Sequence, residues 1–166
     1  MFKKAEKSVV GRVEKISLPE LGVHSVHAKI DTGADLSSIW ATNIHEKDGV
    51  LKFKLFGKGH KHYTGEIISV RKPDYLLTKV ANSFGHSELR FVVKLQVRIA
   101  GKLVRATFSL SDRSKKTYSI LIGRKLLNRK FLVDVSRGTP LIDLEKKAIE
   151  QTKKELEEFN KWEAKT

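Results

Sequence analysis

The sequence predicts an all-β domain of mostly antiparallel strands, followed by one amphipathic helix. Three observations carry that reading. Between residues 9 and 135 apolar side chains alternate with polar ones or stand in short runs between Gly- or Pro-bearing breaks, a period of two. After Thr139-Pro140 the period changes: Leu141, Leu144, Ala148, Thr152, Leu156, Phe159 and Trp162 recur at threes and fours among Lys and Glu. No internal repeat or low-complexity stretch interrupts either part. The division expected is therefore a β domain over residues 1–140 and a helix over 141–166.

The elements follow in order. Val9, Val10, Val13 and Ile16 make a short extended run, which Leu18-Pro19-Glu20-Leu21-Gly22 breaks. His24 to Ile30 alternates, with Val26, Ala28 and Ile30 on one face. It runs straight into Asp31-Thr32-Gly33-Ala34. Leu36 to Ile44 is a further extended segment, with Trp40 expected in the core or at an interface. Leu51, Phe53 and Leu55 alternate with Lys52 and Lys54. The polar turn 57–62 then predicts a hairpin whose return strand spans Tyr63 to Val70. Pro73 opens a looser stretch, and residues 81–87 read as a loop. Leu89 to Ile99 and Lys102 to Leu110 flank Ala100-Gly101 as the clearest hairpin. Ser119 to Ile122 is a short strand, Arg124 to Asn128 a helical turn, and Phe131 to Val135 a last strand. The terminal helix is expected from Leu141 to Trp162, with Glu150–Lys154 and Glu157–Lys161 in the favourable order. Its apolar stripe predicts a helix lying on the sheet body, with packing against a partner subunit as the alternative.

Composition narrows the function. There are no cysteines, which excludes disulfide scaffolds, thiolate metal sites and cysteine nucleophiles. No apolar run approaches the ~18 residues of a membrane helix, and the N-terminus does not read as a secretory signal. A cytoplasmic protein without membrane association is expected. The net charge is +14, from 33 Lys and Arg against 19 Asp and Glu. Residues from Leu141 onward hold six Lys and seven acidic groups, so the first 140 carry 27 basic and 12 acidic groups, or +15. Such a surplus favours polyanionic partners, whether nucleic acid or acidic polypeptide. One aromatic beside the basic turn Lys58 to His62 is too little for a stacking surface, and no nucleic-acid signature accompanies the charge.

The segment Ala28-Lys29-Ile30-Asp31-Thr32-Gly33-Ala34 carries the chemistry. A buried strand ends in a carboxylate, then a hydroxyl, then glycine. Aspartic proteolysis needs that order, because a rigidly held carboxylate must share one water with a second carboxylate. Gly33 leaves room for close backbone approach, and Thr32 is expected to hydrogen-bond inward and lock the loop. A strand-end turn would explain the same tripeptide without catalysis. About 90 residues downstream, Leu121-Ile122-Gly123-Arg124 supplies an apolar-apolar-Gly run before a helical turn.

Together these two segments resemble the catalytic and partner loops of retropepsin-like aspartic proteases. Further blocks make the resemblance closer: Gly11 to Glu14, Leu18 to Gly22, Ser37-Ser38, Glu88-Leu89-Arg90, Leu110 to Arg113, Ile120 to Leu127 and Phe131 to Asp134. Ser83-Phe84-Gly85 also matches the family's Ser-x-Gly segment. Over about residues 8 to 136 the chain resembles a bacterial retropepsin-like aspartic protease family that carries the label "ATP-dependent zinc protease". Its members stand beside, or are fused to, the ATP-grasp ligase that adds glutamates to a ribosomal protein. The terminal helix lies outside the resemblance.

What the resemblance implies is a closed retropepsin-like β-barrel with Asp31, Thr32 and Gly33 as catalytic residues. Ala34, Asp35, Leu121, Ile122, Gly123 and Arg124 would support them. One chain supplies one Asp-Thr-Gly, so the reading implies a homodimer with the two copies of Asp31 at the two-fold axis. The expected reaction is hydrolysis of a peptide or isopeptide bond, with an acidic, glutamate-modified protein as one candidate substrate. Where the family commonly has Arg-Thr-Ser after the motif, this chain has Asp35-Leu36-Ser37. Asp35 is expected to pair with Arg124, both partly buried. The rival readings are a binding module that keeps the fold without catalysis, and a zinc peptidase as the label says. No metal or other cofactor is expected: there is no His-Glu-x-x-His and no phosphate-cradling Gly loop. His24 and His27 are expected on opposite strand faces. His60 and His62 share a face but sit in a solvated basic turn. His45 and His86 have no evident partner, and Asp112-Arg113 either orients the site loops or closes a local salt bridge.

Overall fold

The computed structural model describes residues 6–81 and 85–165. The first strands are β1 (Ser8–Val10), β2 (Val13–Leu18) and β3 (Val23–Ile30). β2 and β3 form an antiparallel hairpin around one 3-10 turn, Pro19–Leu21, where the proline fixes the bend. Val13, Ile16 and Leu18 face inward from β2, and Val26, Ala28 and Ile30 from β3. Ser25 is left-handed, with φ 56°, and breaks the alternation of β3. His24 and His27 consequently both lie off the buried face rather than on opposite faces.

β4 (Ser37–Lys47) and β5 (Val50–Leu55) turn at Asp48-Gly49 and pair antiparallel. The return strand β6 is shorter than the sequence suggests, Ile68–Arg71. Residues 57–67 form a loop instead of extending the ladder. Its His60 folds back onto the ring of Phe56, with centroids 4.0 Å apart, and these local contacts replace strand pairing.

The stretch after Pro73 holds a strand that the sequence pattern hides, β7 (Tyr75–Ala81). Only Tyr75 is buried, while Leu76 and Leu77 are 65% and 53% exposed, so β7 lacks half-buried alternation. It pairs with β8 (Ser87–Ile99) from Tyr75–Val93 out to Ala81–Ser87. Ser83 and Phe84 of the Ser-x-Gly segment lie outside the described residues. β8 turns at Ala100-Gly101 into β9 (Lys102–Ser111), and both turn residues have positive φ, which matches the twist of the flanking strands. The chain then forms β10 (Ile120–Ile122), α1 (Arg124–Leu127), β11 (Phe131–Val133) and α2 (Ile142–Glu163).

The main sheet runs β10-β3-β2-β8-β9-β4-β5-β6, and β10 also pairs with β4, which returns the path to its start. β7 extends it along β8, while β1 and β11 form a separate two-stranded sheet. The ladders β1–β11, β3–β10 and β4–β9 are parallel. The other ladders among the described residues are antiparallel. The core is aliphatic and phenylalanine-rich, with Phe53, Phe56, Phe108, Ile39 and Ile120 fully enclosed.

α2 does not lie on this body: none of its residues is buried. Its stripe stays open, with Leu156 56% and Trp162 64% exposed. Its start is tied down by an ion pair and two hydrogen bonds. Arg12 donates to both Glu145 oxygens at 2.9 and 3.0 Å. The Tyr118 hydroxyl donates to Glu145 Oε1 at 2.6 Å and accepts from Leu141 N–H at 2.9 Å. No helix among the described residues is long and apolar enough to cross a membrane.

Candidate active site

The parallel register of β3 with β10 sets Ile122 beside Ile30, so Asp31 and Gly123 leave the sheet at the same end. The Asp31 N–H donates to Ile122 O at 2.9 Å and continues the ladder one step further. Beyond it the two segments are knitted by main chain. Arg124 N–H donates to Ala34 O at 2.7 Å, and Lys125 N–H to Asp35 O at 3.1 Å. Gly123 N–H donates to Ser37 Oγ at 3.1 Å. Ser38 and Ser111 share a buried hydroxyl–hydroxyl bond of 2.7 Å, which ties β4 to β9 behind the loop.

The Asp31 carboxylate is half-buried, and its Oδ1 accepts from Gly33 N–H at 3.0 Å and Ala34 N–H at 3.2 Å. Two backbone donors thus fix one oxygen. A Cβ on Gly33 would stand 3.3 Å from that oxygen. Gly123 is tighter still: a Cβ there would meet Leu36 O at 2.5 Å and Ala34 O at 2.8 Å, main-chain atoms that cannot swing away. The loop lock expected of Thr32 is made by these backbone groups instead. Thr32 is exposed, and its hydroxyl has no partner among the described residues. Asp35 pairs with Arg124, but with both side chains about three-fifths exposed rather than partly buried. Ile122 is fully buried and Leu121 half-buried.

Arg113 reaches further than a turn residue. The local bridge to Asp112 does not form, because Asp112 Oδ1 accepts Ser114 N–H at 2.9 Å. Arg113 Nε donates to Tyr118 O at 3.0 Å. Burial lowers the pKa of its guanidinium, the charge of Arg90 lowers it further, and Asp31 raises it. Arg90 and Asp31 therefore each lie within electrostatic reach of Arg113.

The histidines cluster elsewhere. His60 Nε2 lies 3.2 Å from Ser119 Oγ, the geometry of a nucleophile–base pair. Its Nδ1, however, accepts the His62 N–H at 3.2 Å, so neutral His60 carries its proton on Nε2 and donates to Ser119. It cannot act as a base toward that hydroxyl. Among the described residues no three His, Asp or Glu side chains converge to hold a metal ion. Two cavities of about 530 and 350 Å³ border the 57–67 loop, and neither is lined by Asp31, Thr32 or Gly33.

A family model described as RimB-like, retropepsin-like aspartic endopeptidase RimB, matches residues 9–140. Relatives named "Probable alpha-L-glutamate ligase" occur in Desulfotalea psychrophila, 28% identical over 86% of this chain, and Shewanella pealeana, 30% identical over 80%. This chain spans 31% and 29% of their lengths. The crystal structure of Lpg0085 from Legionella pneumophila, titled as a protein of unknown function, superposes with a TM-score of 0.60 at 28% identity. It covers 80% of this chain and 97% of its own. The family match spans the whole β body and both loops of the site, and the chain belongs to the RimB-like family of retropepsin-like aspartic endopeptidases.

Proposed function

We propose that this chain is an aspartic-type peptidase whose active site forms between two copies of itself. The observation that carries the reading is the Asp31 carboxylate: it ends a buried strand, is held by two backbone N–H groups, and stands beside an exposed Thr32. One chain provides one such carboxylate, and the reaction needs two. In the homodimer, Asp31 and Asp31 of the partner subunit share one proton, since two adjacent carboxylates do not both ionise cheaply. The ionised member takes a proton from a bound water as its oxygen attacks the scissile carbonyl carbon. The protonated member gives its proton to the carbonyl oxygen. Collapse of the tetrahedral diol breaks the C–N bond as the nitrogen is protonated, and both products leave without a covalent enzyme intermediate.

The remaining parts suit this reading. The ring of strands is then a retropepsin-type barrel, and the β7–β8 hairpin is the flap. Acidic protein tails are the substrate class that a neighbouring glutamate ligase would provide, and the +15 body would steer them. The test is peptide hydrolysis by the wild-type chain and by Asp31→Asn. Activity that is lost in the variant, blocked by a pepsin-type inhibitor and kept in chelator supports the reading. Activity that survives Asp31→Asn, or is lost to chelator alone, overturns it.

A further inference from the structure

Two apolar faces of this chain stay open, and they are opposite in charge. The first is the far end of α2. The helix start is held at Glu145 by Arg12 and Tyr118. Leu156, Phe159 and Trp162 stand about 16–26 Å beyond that anchor, at ~1.5 Å per residue, and all three are exposed. The rings of Phe159 and Trp162 lie 6.2 Å apart. Glu155, Glu157, Glu158 and Glu163 surround them, against Lys161. An amphipathic helix draws most of its stability from packing its apolar face, and none of α2 is buried. The second face belongs to the β1–β11 sheet. Val9 and Leu132 are direct neighbours in its parallel register, and they are 44% and 53% exposed. Val10 and Phe131 are buried in the core. Cations gather at one end of this sheet. Lys7 and Lys130 precede its two strands, Arg129 precedes Lys130, and the Lys102 ammonium donates to Lys130 O at 3.2 Å. Glu6, whose carbonyl accepts from Lys102 at 2.6 Å, adds one carboxylate beside these four cations.

We propose that the far end of α2 docks on the β1–β11 face of a second copy of this chain, and that the partner's helix returns the contact. With the helix start held at Glu145, neither face covers the other within one chain. A reciprocal exchange covers both at once, and it closes with two copies. Leu156, Phe159 and Trp162 then lie over Val9 and Leu132, and the glutamates around them meet the cations at the sheet end. Charge complementarity selects the body of another copy rather than another α2. The helix holds seven acidic residues and five lysines between Ile142 and Glu163, whereas the first 140 residues carry +15. Buried aromatic anchors ringed by polar groups supply most of the affinity of such contacts. The inference goes beyond the peptidase reading: it assigns the helix that the hydrolytic step leaves unused, and it needs no catalysis.

The test uses the full chain and reads self-association by sedimentation across a concentration series. Phe159→Glu on the helix and Leu132→Glu on the sheet are each expected to weaken the dimer at least about tenfold. Both positions are exposed, matched thermal melts establish folding, and Phe159→Ser and Leu132→Ser repeat the test should a glutamate variant melt early. Mixing the two variants is expected to restore association, because the mixed pair keeps one wild-type helix on one wild-type sheet face. Lys7→Glu with Lys130→Glu should also weaken the dimer, and adding Glu157→Lys with Glu158→Lys should recover part of the loss. Raised salt should weaken the wild-type dimer. A chain that stays monomeric overturns the proposal. A dimer broken by Phe159→Glu and untouched by Leu132→Glu overturns it in favour of helix-to-helix pairing. A dimer that neither variant weakens overturns it and leaves the shared Asp31 site standing. Asp31→Asn is expected to keep the exchange. A dimer that passes these tests and hydrolyses no peptide sinks the peptidase reading alone.

Discussion

Arg124, the first residue of α1, reaches back to the carboxylate of Asp35, and the two form an ion pair with side chains 61% and 62% exposed. The pair joins the segment after Asp31 to the segment after Gly123. At that exposure, solvent screens most of its attraction. Arg124→Ala is expected to cost the isolated chain only about 0–1 kcal/mol in denaturant unfolding at low protein concentration. If the partner subunit covers the pair, the variant should weaken the dimer by much more, on the order of 3 kcal/mol, because Asp35 would be left charged and buried. Sedimentation of wild type and variant across a concentration series separates the two effects. A loss of monomer stability as large as the loss of dimer affinity would contradict this assignment.

Gly123 is a steric requirement of the site. A methyl group there would overlap the carbonyls of Leu36 and Ala34. Gly123→Ala should therefore destabilise the fold by about 1–3 kcal/mol or more, as overpacking does. It should also displace the Ser37–Gly123 bond that holds the two loops together. Urea unfolding gives the first, and loss of amide protection at Gly123 in comparison with Ile120 gives the second. An unchanged midpoint would show that the loops are not packed as described.

The anchor of α2 should respond to acid. The Glu145 carboxyl is held below its ordinary value of 4.5, chiefly by the Arg12 hydrogen bond and then by Tyr118. A depressed carboxyl contributes stability that is complete above its unfolded pKa and is lost as pH falls through the folded one. Docking of the helix start should thus weaken below about pH 4.5, seen as faster exchange of the Leu141 amide that Tyr118 holds. Glu145→Gln should show that faster exchange already at neutral pH, with little further change on acidification.

The histidine cluster should respond in a different window. Burial, then His62 and Lys61, pull His60 below the ordinary imidazole value of 6.5. A base with a depressed folded pKa binds its proton more readily when unfolded. Its contribution to stability is therefore full above about pH 6.5 and falls as pH drops through the folded value. The melting temperature should decline on acidification from pH 7 to pH 5, and His60→Gln should flatten that decline. A wild-type melting temperature that stays constant over this range would refute the assignment.

Much of this architecture was legible in the residues, for identifiable reasons. The β8–β9 hairpin announced itself through long strands around Ala100-Gly101, and β3 through its alternation. Asp31-Thr32-Gly33 and Leu121-Ile122-Gly123 were readable as loop signatures, and the parallel β3–β10 register shows why they share one end of the sheet. What stayed hidden depends on tertiary context. β7 shows no alternation because most of it stands clear of the core. The return strand expected from Tyr63 begins only at Ile68, because the polar turn runs on as a loop and His60 draws it back onto Phe56. The stripe of α2 predicts a covered face, and none of its described residues is buried. The influence of Arg90 on Arg113 joins residues far apart in the chain, which no local spacing encodes.

The central claim is that the active site is shared between two copies of the chain, one Asp31 from each. The most direct measurement mixes wild-type chain with Asp31→Asn, unfolds and refolds the mixture to randomise pairing, and follows peptidase activity against the wild-type fraction. If each site needs both carboxylates, mixed dimers are inactive and activity should fall as the square of that fraction. A straight line would contradict the account, because it would mean that each chain works with its own Asp31 alone.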